Sequence, residues 1–205
     1  MNRIKTDYEA VLTIKRSIFT ATAHPLIDET LIQPYVESLK TRFPKSHHIV
    51  YAYHLNDGFI QRDSDDGEPK GTAGAPVLKA IQHFDVTDLI VTVRRDFGGI
   101  LLGAGGLIRA YSKAAHSALD KAEILIPTHV YVIHFTLSYK AFDQANSLVN
   151  QYLSDITKDF GIGVTVNGII KIDDFEPFKK LLQDILGESP SIEIEQEKTT
   201  YQPKS

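Results

Sequence analysis

The chain has 205 residues, 42% of them hydrophobic, no cysteine and a net charge of −4. That length allows one large or two small domains, each with a real core, and the lack of cysteine excludes disulfides, thiolate metal sites and thiol nucleophiles. Residues 126–205 hold the whole acidic excess, so contact with nucleic acid would require a local basic patch in the neutral first part.

Charges at Arg3, Lys5, Asp7, Glu9, Lys15 and Arg16 interrupt the N-terminus, and no apolar stretch is long enough for a signal peptide or a membrane span. A cytoplasmic protein without membrane contact is expected. In chain order, Val11–Ile14 and Ile18–Ala21 read as strands flanking Lys15-Arg16-Ser17. Asp28 is a good N-cap for a helix carrying Leu31, Ile32, Tyr35, Val36 and Leu39, which should stop before Pro44. His47–Leu55 reads as a strand, Asn56–Thr72 as a polar loop, Ala75–Phe84 as a short helix and Asp88–Phe97 as a strand. A glycine-rich loop then feeds a helix from about Gly106 to Lys121.

Pro127 is the expected boundary, giving domains 1–126 and 127–205. Beyond it come a strand (Val130–Leu137), a helix (Ala141–Leu153), two strands (Ile156–Phe160 and Val164–Ile172), a helix (Phe175–Leu186, ended by Gly187) and a strand (Ser191–Glu197). This βαββαβ order is the ferredoxin-like split βαβ. Thr199–Ser205 reads as a frayed tail.

Two loops concentrate the chemistry. The first, Arg62–Thr72, gathers Asp65, Asp66 and Glu68, which could hold Mg²⁺ or act as a base. It does not fit a calcium loop, because Gly67 stands fifth from Asp63, and a solvated turn with Asp side chains capping backbone amides is the favoured reading. The second, Gly98–Gly106, fits neither a Walker loop, since Ala104 stands where lysine is needed, nor a dinucleotide fingerprint, since Ile108 stands where glycine is needed. Its bare backbone before a helix could still take an anion, with Arg94, Arg95 and Arg109 nearby; close helix–strand packing is the alternative. Alternation along a strand would keep His47 and His48 from lining one site, and no metal site is expected. No G-x-S-x-G sequence supports triad chemistry.

Lys15–Phe19, Tyr51-Ala52-Tyr53, Ser64–Gly74 and Arg95–Tyr111, in this order and spacing, resemble the bacterial YigZ and eukaryotic Impact family. Three positions depart from it. Asp96 replaces the first of two aromatics, Ile49-Val50 follow His48 where Asn-Cys is usual, and Leu102 sits where lysine is common. The resemblance implies an α+β fold: a left-handed βαβ ribosomal-protein-type domain like domain IV of elongation factor G, then a ferredoxin-like domain like its domain V. It also implies a link to translation, because the eukaryotic relatives regulate it. Their extra N-terminal, partner-binding domain is not expected here, since the similarity begins near Lys15.

The leading expectation is a non-catalytic, translation-associated protein binding structured RNA or the ribosome. Lys15, Arg16, Arg94, Arg95, Arg109 and Lys113 would meet phosphates, and Gly98, Gly99, Gly105 and Gly106 would allow close backbone approach. No cofactor is expected. One rival is a Mg²⁺-dependent enzyme acting on a phosphorylated small molecule through Asp65, Asp66 and Glu68. Another is a protein-binding adaptor docking through its second domain. Both functional readings require the two loops to share one cleft.

Overall fold

A computed structural model describes residues 1–203. The chain divides into two compact units, one built on Met1–Ile126 and the other on Pro127–Gln202. Each has its own core.

The first unit contains β1 (Arg3–Ile4), β2 (Tyr8–Ile14), β3 (Ser17–Pro25), α1 (Ile32–Arg42), β4 (His48–Leu55), β5 (Ile60–Ser64), α2 (Gly74–His83), β6 (Leu89–Asp96) and α3 (Ala104–Leu119). Its main sheet has the order β2-β3-β6-β4-β5, with every neighbouring pair antiparallel. It follows that β3 and β4 run parallel on either side of β6 and are joined through α1. Likewise β5 and β6 run parallel on either side of β4 and are joined through α2. These are helix-linked βαβ units, each with a third strand inserted between its parallel strands.

Strand alternation divides the side chains between two faces. Phe19, Ala21, Ala23, Val50, Ala52, Leu89, Val91 and Val93 point towards α2 and α3 and form the larger core with Val77, Ile81, Leu107, Tyr111 and Leu119. Tyr53, Leu55 and Ile90 point the other way, against Ile32 and Val36 of α1. The sheet is thus a middle layer between helices, as expected of a strand rich in Leu, Ile and Val at its centre.

Local chemistry sets the boundaries. Asp28 caps a 3-10 turn (Glu29–Leu31) by accepting the Thr30 N–H at 2.9 Å, and α1 continues from it at Ile32. Lys15 and Arg16 form a two-residue hairpin turn, both at positive φ (44° and 67°), so that Ser17 pairs with Ile14. The polar stretch after β4 is not all loop, as its sequence suggests. A second 3-10 turn (Asn56–Gly58) folds it back so that Ile60–Ser64 pair with Tyr51–Leu55. Cross-strand pairing overrode the polar composition of Gln61-Arg62-Asp63-Ser64 there. Helix α3 starts two residues earlier than expected, which puts Gly105 and Gly106 in its first turn.

The second unit contains the rest of β7 (Ile124–Leu137), then α4 (Tyr139–Tyr152), β8 (Ser154–Phe160), β9 (Val164–Lys171), α5 (Ile172–Leu186) and β10 (Ile192–Pro203). Its strands lie in the order β10-β7-β9-β8, and both helices bury apolar stripes in one core with Ile133, Phe135, Val164, Val166 and Ile170. This is the ferredoxin-like arrangement of βαββαβ. Two corrections apply to its ends. Strand β7 begins before Pro127 and runs through it, and the tail from Thr199 to Pro203 belongs to β10 instead of fraying, because that strand pairs with β7. Lys204 and Ser205 of the expected tail lie outside the described residues.

Candidate functional site

The two loops meet. A cleft of about 370 Å³ is lined by Glu68 and Pro69 from the acidic loop, by Phe97, Leu101, Leu102, Gly103 and Ala104 from the glycine loop, and by His47, His48, Arg95 and Leu107. β4 and β6 bring them together. Their adjacent ends pair His48 with Arg95, so the loop that follows β6 and the residues that precede β4 emerge side by side.

The floor is a buried polar network. Arg95 is 5% exposed and Glu68 8%. Glu68 Oε1 accepts from Arg95 Nη1 at 2.6 Å and from the Tyr111 hydroxyl at 2.7 Å. Arg95 Nη2 donates to Ser17 Oγ at 3.4 Å, and its guanidinium lies 5.5 Å from the Phe19 ring centre and 5.2 Å from that of Phe97. Burial, and then the bond to Glu68, push the Tyr111 hydroxyl far above its usual pKa, so it remains a proton donor. The ion pair neutralises charge in a place where a lone charge would be costly.

The histidines form one edge. His47 precedes β4, so strand alternation does not separate it from His48, and both line the cleft, contrary to the sequence expectation. A carbonyl only accepts, so His48 Nδ1, 2.8 Å from Asp66 O, carries a proton. Its Nε2 then faces Glu68 Oε1 at 3.9 Å. The Phe97 N–H donates to His47 Nδ1 at 3.4 Å.

The other acidic-loop carboxylates hold the backbone. Asp65 accepts from the N–H groups of Gly71 (2.7 Å), Ala73 (3.0 Å) and Gly74 (2.9 Å), capping the start of α2. Burial raises its pKa, but these three donors outweigh that and hold it below the usual range. Asp66 accepts the Ile49 N–H at 2.6 Å and lies 3.4 Å from Lys40 Nζ. Among the described residues, no cluster of three or more His, Asp or Glu side chains is arranged to hold a metal ion.

In the glycine loop, Gly98 lies against the Lys15-Arg16 turn. An added Cβ would sit 2.1 Å from the Arg16 carbonyl group, and the Gly98 N–H donates to Ser17 Oγ at 3.2 Å. Gly103, at φ 70°, precedes α3 without a side-chain cap, and it lines the cleft with Ala104, the first residue of the helix. The expected cations do not form one patch. Lys15 and Arg16 are exposed at the hairpin tip, and Arg109 and Lys113 are exposed one turn apart on α3. Arg95 is sealed in the floor. Arg94, its neighbour in β6, projects from the opposite face and stacks 3.6 Å over the Phe43 ring centre.

The Impact N-terminal domain family matches residues 15–119, half of the chain and all of the cleft. The chain belongs to this family. An Impact family member of Bacillus subtilis, YvyE, is 33% identical over 137 residues, which are 66% of this chain and 63% of that protein. YigZ of Escherichia coli is 39% identical over 110 residues, 52% of this chain and 53% of that protein. The matched segments thus span little more than half the length of these relatives. A solved structure, described as a hypothetical protein, aligns over 95% of this chain and 97% of its own, with a TM-score of 0.58 and 26% identity.

Sequence reasoning missed three contributors to the cleft. Tyr111 read as one more apolar position on the buried side of α3, Ser17 as part of a turn, and His47 as a strand residue. Only Tyr111 carried a signal, because a tyrosine on a buried stripe needs a partner for its hydroxyl.

Proposed function

We propose that the chain is a non-catalytic, translation-associated regulator that binds structured RNA or the ribosome through the mouth of this cleft. The observation that carries the reading is the convergence of both loops on one cleft that is apolar in its walls and charge-neutral in its floor. The Lys15-Arg16 turn packs against Gly98, the residue after the cleft-lining Phe97. Membership of a family whose eukaryotic members the resemblance links to translation supports it, and that work would place the chain in the cytoplasm.

Lys15 and Arg16 occupy left-handed backbone positions that Asn-Gly would fill at lower cost. Strain of this kind is retained where a side chain is needed at that spot. These two residues, with Arg109 and Lys113, are the phosphate contacts in this reading. The uncapped first turn of α3, with Gly105 and Gly106, offers N–H groups to a phosphate. The apolar walls, with Phe97 and His47, suit the face of an unstacked base. Arg95 supports the floor and Arg94 faces elsewhere, so neither is a phosphate contact.

The enzyme reading is less favoured, because Asp65, Asp66 and Glu68 are already engaged by backbone N–H groups, Lys40, Arg95 and Tyr111. Among the described residues, no helix is long and apolar enough to cross a membrane.

Co-sedimentation with ribosomes, and filter binding to structured RNA, test the proposal at low and moderate salt. Binding at low salt that weakens in both Lys15→Ala/Arg16→Ala and Arg109→Ala/Lys113→Ala is expected. Absence of binding at low salt, or full binding by both variants, rules it out.

A further inference from the structure

We infer that the α1 side of the first unit carries a second site, independent of the cleft, for a small zwitterion of dipeptide size. The site would grip the carboxylate with Arg94 and Arg42 and the ammonium group with Glu9 and Asp7. A cavity of about 270 Å³ lies there, bounded by α1 and by the part of the sheet that α1 leaves uncovered.

Its charges are separated by sign. At one end Arg94 is half-buried, stacked on Phe43, with Arg42 5.1 Å from the same ring centre. Among the described residues neither guanidinium has a carboxylate within ion-pair distance, and Arg94 Nη2 makes only a long contact, 3.5 Å, to Thr20 Oγ1. A guanidinium held flat on an aromatic ring, with its edge donors unsatisfied, is poised for a planar carboxylate. At the other end Glu9 has no cationic side chain paired with it among the described residues, and Asp7 contacts His24 at 2.7 Å.

Hydroxyl groups floor the space between the ends. Register places Glu9, Thr22 and Thr92 in one row across β2, β3 and β6, and Val11, Thr20 and Arg94 in the next such row on this face. Thr20 and Thr92 are almost fully buried, and Tyr35 and Leu39 of α1 form the wall. The acidic and basic positions lie two strands and two residues apart, a diagonal of about 12 Å between Cα atoms at standard sheet spacings. With side chains reaching inwards from both ends, the remaining gap matches charges several ångströms apart, as in a dipeptide, better than the adjacent charges of glycine. Asp7 and Glu9 precede the segment matched by the family model.

The test is a nuclear magnetic resonance titration of the full chain with Ala-Ala, N-acetyl-Ala-Ala and Ala-Ala amide. Saturable shifts centred on the amides of Thr20, Thr22 and Thr92 are expected with Ala-Ala. Each charge-deleted analogue should bind at least roughly tenfold more weakly, about 1.4 kcal/mol. Arg94→Gln should abolish the shifts, and Glu9→Gln, on an exposed edge-strand position that tolerates change, should weaken them. No shift at those threonines with Ala-Ala, or equal binding of all three peptides, overturns the inference. So does unchanged Ala-Ala binding in folded Glu9→Gln.

Discussion

Glu68 Oε1 accepts two buried donors at once, and this one oxygen ties the acidic loop, β6 and α3 together. Removing one member of such a network leaves a buried charge without its partner, which costs more than the network contributes in total. Arg95→Met alone and Glu68→Met alone are therefore each expected to lower stability by roughly 3–5 kcal/mol. The double variant Arg95→Met/Glu68→Met should lose much less than the sum, as measured by urea unfolding in a double-mutant cycle. Additive losses would show that the two side chains act separately. The same buried pairing takes Arg95, which flanks the glycine loop in sequence, out of the candidate anion contacts. Sequence spacing located it correctly beside the cleft, but strand alternation turned it into the core face, and Glu68 then covered it.

Single carboxylates and glycines govern whole elements. Asp65 organises the start of α2 through three N–H groups, and its lowered pKa sets the sign of a pH effect. A carboxyl depressed in the folded state stabilises above its unfolded pKa and loses that contribution as the pH falls through its folded value. Acid unfolding should therefore steepen below about pH 4 in the native chain. Asp65→Ala should cost roughly 2 kcal/mol at neutral pH and flatten that acid limb, as followed by circular dichroism against pH. In the hairpin, Lys15→Asn/Arg16→Gly relieves two positive-φ positions and is expected to raise Tm by a few degrees. Gly98→Ala drives a Cβ into the Arg16 backbone and should destabilise by roughly 1–3 kcal/mol. If the hairpin variant is both more stable and defective in RNA binding, the strained turn is kept for its charges.

For the whole molecule, a net charge of −4 leaves no general attraction to a polyanion, so the proposed binding would rest on exposed cations such as Lys15, Arg16, Arg109 and Lys113. A small number of phosphate contacts predicts a modest salt slope. Removing Arg109 and Lys113 together should lower its magnitude by about 1.4 on single-stranded RNA and about 1.8 on a duplex, with little change in Tm. An unchanged slope would show that α3 does not touch the backbone of the nucleic acid.

The sequence by itself determined the elements whose periodicity is strong: α1, α2, the βαββαβ order after Pro127, the central strand β6, and the two loops as the place where chemistry gathers. These follow from local physics, namely apolar spacing, Asp28 as a cap, Gly187 as a stop and the steric limits around proline. Tertiary structure decided what those loops do. Gln61-Arg62-Asp63-Ser64 became a strand because β4 offered an edge. Asp65 and Asp66 were drawn to backbone N–H groups, and Arg94 and Arg95 were sent to opposite faces. The joining of His47, Glu68, Arg95, Tyr111 and Gly98 around one cleft also required the fold. Which donor a carboxylate finds depends on residues dozens of positions away, and no local pattern encodes that distance.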